Sequence, residues 1–144
     1  MNKDVKVLLI EDNEGDIILT KEAFRSAHFN NDITVVKDGD AALKYFEGAA
    51  NFESASVPDM ILLDINLPKV DGRQVLNYIK NDERWKKIPV MMLTTSEAET
   101  DIQYAYQHHA NCYIVKPVGF KEFLGVIKKL NDFWMDVVRL AAGN

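Results

Sequence analysis

The chain holds one cysteine, Cys112, in 144 residues, so no disulfide can form within it. A reducing compartment, the cytosol, is the expected setting. No apolar run approaches the roughly 20 residues that cross a bilayer. The N-terminal run VKVLLI is far too short for a secretory signal and is followed at once by acids, so none is expected. Positive charge is not in excess: 17 basic against 22 acidic residues leave a net charge of −5. That argues against nucleic acid or an anionic membrane as the principal partner. With four prolines and seven glycines, the chain shows no repeat, low-complexity tract or linker. What is present is an ordinary globular composition, 47% hydrophobic and 27% charged. The length suits a single domain over residues 1–144, able to bury a core without disulfide or metal staples.

Short apolar runs alternate with amphipathic segments. Strands are expected at VKVLLI (5–10), ITVVK (33–37), MILLD (60–64), PVMMLTT (89–95) and CYIV (112–115). Helices are expected at 16–27, at 40–48 with Gly48 closing it, at 72–81, at 96–109 with Ser96 and Glu99 as a capping box, and over about 120–141. Residues 49–58 read as a surface loop. Strand and helix alternating five times predict an α/β fold, a parallel sheet with helices on both faces. In such sheets ligands lie beyond the C-terminal ends of the strands.

The residues at those ends carry the chemistry. The first strand runs into Glu11 and Asp12, the third into Asp64, the fourth into Thr94, Thr95 and Ser96, and the fifth into Lys116 and Pro117. Polar residues at a strand end are ordinary when taken singly, because loops begin there. Each of these closes a different strand, and a parallel sheet brings them to one edge. Three carboxylates in one cleft repel one another. Lys116 and a hard cation such as Mg²⁺ relieve that repulsion. A carboxylate beside Mg²⁺ and a lysine can attack a phosphoryl group, giving an aspartyl phosphate, with Thr94 hydrogen-bonding a phosphoryl oxygen.

The segments LLIEDNEGD, VVKDGDAAL, PDMILLDINLPKVDG, IPVMMLTTS and NCYIVKPV resemble, as a set, the receiver domain of bacterial response regulators. ILLDINLPKVDG, LTTSE and the late DFW are most similar to stand-alone receivers that partner bacterial phytochrome-like and hybrid histidine kinases. The resemblance implies a flavodoxin-like sheet of order 2-1-3-4-5 with no output domain. It implies Asp64 as phosphoacceptor for a sensor histidine kinase. It implies Asp12, Asp64 and the backbone carbonyl of Asn66 as Mg²⁺ ligands, with Glu11 acting through a bound water. Thr94 and Tyr113 match the switch pair, and Lys116 the phosphate-binding lysine, joined to Pro117 by a cis bond. Asn66 and Ser96 flank the line of attack by water and tune the phosphoryl lifetime. Such a chain catalyses only its own phosphorylation and dephosphorylation. Two alternatives share parts of this pattern. A flavodoxin-like electron carrier would need a phosphate-binding loop where EDNEGD stands, and a Mg²⁺-dependent aspartyl phosphatase usually has an acid where Asn66 stands.

Three further segments invite other readings. His108-His109 suits a helix C-terminus better than a metal site, since neighbouring positions diverge by about 100°. DERWKK (82–87) reads as a solvated turn with Trp85 covering apolar surface. The last helix carries an apolar stripe (Phe120, Phe123, Leu124, Ile127, Leu130 and Trp134) and off-stripe apolar residues, among them Phe133. At about 33 Å it outreaches strands of about 17–20 Å, and its overhang, with Tyr104 and Tyr106, points to a homodimer through helix four, strand five and helix five.

Overall fold

The computed structural model describes residues 5–27, 31–50, 57–117 and 119–136, without the side chains of 49–50 and 134–136. Among these residues ten elements alternate: β1 (Val5–Ile10), α1 (Glu14–Ser26), β2 (Asn31–Val36), α2 (Gly39–Ala50), β3 (Met60–Leu63), α3 (Gly72–Lys80), β4 (Val90–Thr94), α4 (Glu99–Gln107), β5 (Cys112–Val115) and α5 (Phe120–Asp136). The five strands pair in parallel in the order β2-β1-β3-β4-β5.

The apolar runs become strands because both faces of the sheet are covered. Every residue of β3 and β4 is buried. On one face Leu8, Ile10, Ile61, Leu63 and Met92 pack against Phe46 of α2, Val75, Leu76 and Ile79 of α3 and Ala105 of α4. On the other, Val7, Leu9, Met60, Leu62 and Met91 pack against Ile17, Ala23 and Phe24 of α1 and Phe123, Ile127 and Leu130 of α5. Alternate residues of one strand thus feed two separate cores, as the two-residue period requires. No helix among the described residues is long and apolar enough to cross a membrane.

Several boundaries depart from the sequence expectation. Helix α2 runs through Gly48 to Ala50; glycine weakens a helix without stopping it. Helix α4 starts at Glu99, with Ala98 as an N-cap lacking a side-chain bond. The Ser96 hydroxyl instead donates to Asp101 Oδ2 (2.7 Å) and accepts from the Ala98 N–H (3.3 Å), ordering the turn before the helix. Trp85 is no surface cover: it is 3% exposed, and its ring centroid lies 5.5 Å from that of Phe46. The expected extension of α5 to 141 and most of the expected 49–58 loop lie outside the described residues.

The two histidines do the structural work of a helix end. His109 sits at φ 69°, its N–H donating to Tyr106 O (3.1 Å) while the Ala110 N–H donates to Ala105 O (2.9 Å). That pair of bonds is a Schellman motif, which terminates α4. His108 stacks on Tyr104 with ring centroids 3.8 Å apart.

Candidate functional site

Parallel pairing brings the strand ends to one edge, and each charged residue sits one step beyond its strand, still on the ladder. The Asp64 N–H donates to Ile10 O (3.1 Å), the Glu11 N–H to Val36 O (3.0 Å) and the Lys116 N–H to Thr94 O (2.8 Å). The register that pairs Ile10 with Leu63 therefore sets Glu11 beside Asp64. The ladder fixes the main chain of all three residues, so little freedom remains to be lost when their side chains converge.

Glu11 and Asp64 are buried while Asp12 is exposed. One carboxylate oxygen from each lies within 4.8 Å of the others. Lys116 closes the cluster. Its side chain is 5% exposed, and Nζ donates to Glu11 Oε1, to Asp16 Oδ2 (2.8 Å) and to Asp64 Oδ2 (3.3 Å). Burial lifts the Glu11 carboxyl to about 7, helped by the charge of Asp64 and opposed by the Lys116 bond and the Asn13 N–H. Burial works against the Lys116 ammonium, but its bonds to Asp16 and Glu11 and the charge of Asp64 hold it above the ordinary lysine value. The site is acid-rich with one tightly held cation.

Two glycines make the frame possible. Gly72 is the first residue of α3, after its N-cap Asp71. A Cβ there would lie 2.1 Å from the carbonyl oxygen of Asp64 and 2.7 Å from Ile65 Cα. At Gly39 a Cβ would lie 1.8 Å from Val70 O. The loop that leaves Asp64 is thus pinned between two helix starts, with Lys69 in the left-handed region at φ 67°.

The hydroxyl side of the site is built on β4. Thr94 is fully buried and its Oγ1 accepts the Ser96 N–H (3.3 Å). The Tyr113 hydroxyl donates to Ser96 O (2.8 Å), and its own N–H donates to Tyr106 Oη (3.1 Å). Burial raises the Tyr113 phenol against the pull of its Ser96 bond, and the charges of Asp101 and Asp64 add to the rise. Thr95 and Asn66 are exposed, and the Asn66 N–H donates to Asp64 Oδ1 (3.2 Å).

Glu11, Asp12, Asp64 and Lys116 therefore come together as expected, with Asn66 bonded to Asp64 and Thr94, Ser96 and Tyr113 joined to one another. One expectation fails: no peptide bond among the described residues is cis, so Lys116–Pro117 is trans. Trans is the intrinsically favoured form by about 0.5–1 kcal/mol. The ladder bond from Lys116 to Thr94 already delivers the ammonium to the acids without a cis turn. Two residues were not foreseen. Asp16 binds Lys116, and Asp101 bridges Ser96 to Arg73 Nη1 (3.1 Å). Asp16 lies in the first turn of α1, 100 residues from Lys116, and no local spacing signals that contact.

Residues 7–128 match the family model of the response regulator receiver domain. Response regulator Rcp1 of Synechocystis sp. is 37% identical over 136 residues, covering 94% of this chain and 92% of that protein. The phosphorylated cyanobacterial phytochrome response regulator RcpA superposes with a TM-score of 0.88 at 40% identity, covering 96% of this chain and 99% of that one. The Mn²⁺-bound form of Rcp1 gives a TM-score of 0.84 at 36% identity, over 94% and 98% of the two chains. The acid edge with its buried lysine, the sheet order and these likenesses have one meaning: the chain belongs to the response-regulator receiver family of two-component signalling.

Proposed function

We infer that the chain is a phosphorylation switch. Asp64 accepts a phosphoryl group from the phosphohistidine of a sensor histidine kinase, and the new charge reshapes the face made by α4, β5 and α5. The observation that carries this reading is the ammonium of Lys116 held against Asp64 at the end of the central strand, with Glu11 beside it.

Hard oxygen donors spaced within 4.8 Å fit a small divalent cation. Asp12 and Asp64 would hold Mg²⁺ with the Asn66 carbonyl, and Glu11 would act through a bound water. When bound, Mg²⁺ neutralises charge on the phosphoryl oxygens and polarises them. The chain's own groups do the rest. An Asp64 carboxylate oxygen forms the new P–O bond, and the P–N bond to the donor histidine breaks with its electron pair returning to the imidazole. Lys116 donates to a phosphoryl oxygen as charge builds there, a charge-assisted bond from a side chain that is itself buried. Thr94 keeps a hydroxyl proton to donate, since its bond from Ser96 uses only an acceptor lone pair. Asn66 and Ser96 flank the approach of hydrolytic water and set how long the phosphoryl group lasts. The exposed Asn66, in place of a second acid, speaks against an aspartyl phosphatase, and the acid cluster after β1 speaks against a flavin phosphate site.

The test is intact mass after incubation with Mg²⁺ and acetyl phosphate, then with a phosphorylated histidine kinase. Wild type should gain one phosphoryl group and Asp64→Asn none. Equal labelling of the two would overturn the assignment.

A further inference from the structure

We propose that Asp16 is a positioning residue for Lys116, holding the ammonium so that one N–H, and only one, is free to follow the phosphoryl group. The proposal rests on the phosphorylation reading above. An ammonium has three N–H donors, and three carboxylates meet them: Glu11, Asp16 at 2.8 Å and Asp64 at 3.3 Å. The Asp64 contact is the longest of the three. It is also the one that phosphorylation changes. When an Asp64 oxygen becomes bonded to phosphorus, that carboxylate loses its charge, and the N–H aimed at it finds the phosphoryl oxygens as replacement acceptors. The other two donors keep their partners, because neither Glu11 nor Asp16 reacts.

Asp16 is suited to this anchoring because its own place is fixed. Its N–H donates to the N-cap side chain, Asn13 Oδ1 (2.9 Å). Its carbonyl accepts the Thr20 hydroxyl (2.7 Å), and Thr20 is buried. The carboxylate therefore projects from the rigid first turn of α1, a different element from the strand ends that supply Glu11 and Asp64. Without it, the third donor loses its acceptor among the described residues, in a pocket where the lysine side chain is only 5% exposed. A buried N–H does not stay unpaired. The ammonium would turn toward Glu11, drawing off the very donor that serves Asp64.

The test is a double-mutant cycle on the full chain, read by the affinity for beryllofluoride, a phosphoryl stand-in, at saturating Mg²⁺. Asp16→Ala should weaken binding about tenfold, the ratio that follows from one charge-assisted hydrogen bond at the low end of its range. In the Lys116→Ala background the same substitution should change affinity less than twofold, since the group it positions is gone. Asp16→Asn, which keeps an acceptor oxygen without the charge, should fall between Asp16→Ala and wild type. An equal loss in both backgrounds would mean that Asp16 serves only the helix, and the proposal falls. It falls equally if Asp16→Ala binds as tightly as wild type, or if Asp16→Asn is no better than Asp16→Ala. A wild-type chain that takes up neither beryllofluoride nor a phosphoryl group would instead defeat the phosphorylation reading itself.

Discussion

Alanine at Gly72 and alanine at Gly125 should move stability in opposite directions, although the chemical change is identical. At Gly72 the new Cβ meets Asp64 O at 2.1 Å, Ile65 Cα at 2.7 Å and Ile65 O at 2.9 Å. All three atoms are main chain, so no side chain can swing aside. The Gly72 N–H also donates to Ile65 O (2.9 Å), which ties the clashing partners together. Overpacking of this kind costs about 3 kcal/mol. Restricting the unfolded chain returns only about 0.4–1 kcal/mol, so the net loss is roughly 2–3 kcal/mol. At this chain length that lowers Tm by roughly 4–12 °C. Gly125 lies inside α5 with nothing within 4 Å of its Cβ position. There alanine should gain about 0.5–1 kcal/mol through helix propensity. Urea and thermal unfolding of both variants decide the matter. A Gly72→Ala chain as stable as wild type would refute the claim that backbone approach to the end of β3 at Asp64 demands glycine. A destabilised Gly125→Ala would refute the reading of α5 as open at that point.

Lifting Glu11 to about 7 means that the fold keeps this proton over a window, roughly pH 4.5 to 7, in which the unfolded chain has released it. This group's contribution therefore favours the fold at the acid end and is lost as pH rises through 7, while the anionic form is the one that serves a cation. Mg²⁺ affinity, read by tryptophan fluorescence, should rise about tenfold from pH 6 to pH 8 and lose most of that slope in Glu11→Gln; a flat profile in wild type would defeat the assignment. His109 and Lys69 hold left-handed backbone without being glycine, so His109→Gly and Lys69→Gly should each raise stability by about 1 kcal/mol in urea unfolding, and a loss in either would show that its side chain matters more than its strain. Tyr106, Val115, Phe120 and Phe133 are exposed on α4, β5 and α5; sedimentation should detect a homodimer through them whose affinity changes roughly 5- to 150-fold with beryllofluoride, and which Phe133→Glu abolishes, whereas a monomer throughout would rule it out.

The parts of this molecule that sequence made legible are those with local causes. MILL reads as interior strand because four apolar residues in a row leave no polar face, and all four are buried. GRQVLNYIKN reads as a helix on its local apolar spacing, and Val75, Leu76 and Ile79 are buried along it. The edge that gathers Glu11, Asp64 and Lys116 follows from alternation alone once the sheet is parallel. What stayed hidden depends on contacts between distant segments. Asp16 and Lys116 stand 100 residues apart, and nothing in EDNEGD distinguishes an acid that caps a helix from one that seizes a lysine. Trp85 sits among charges in the sequence, yet Phe46 from α2 supplies the wall that buries it. Ser96 has the right spacing for a cap, but Asp101 offers its hydroxyl a better acceptor, and the helix begins three residues later.

How a change at Asp64 would leave the site follows from how few of its neighbours can yield. Thr94 is fully buried, so solvent cannot absorb its displacement. On the proposed reading, drawing its hydroxyl toward a phosphoryl oxygen would load the Ser96 N–H bond, already long at 3.3 Å. Ser96 is held at two further points, its carbonyl by the Tyr113 hydroxyl and its own hydroxyl by Asp101, and Asp101 is held in turn by Arg73 at the start of α3. Arg73 closes the circuit, its carbonyl accepting the Tyr104 hydroxyl of α4 (3.3 Å). The loop after β4 cannot shift alone; it must break one of these bonds or carry β5 and α4 with it. A network with discrete partners changes by exchanging them rather than by stretching, and on the proposed phosphorylation reading the expected partner to give way is Tyr113, partly buried, whose side chain is tied to this loop by its hydroxyl alone.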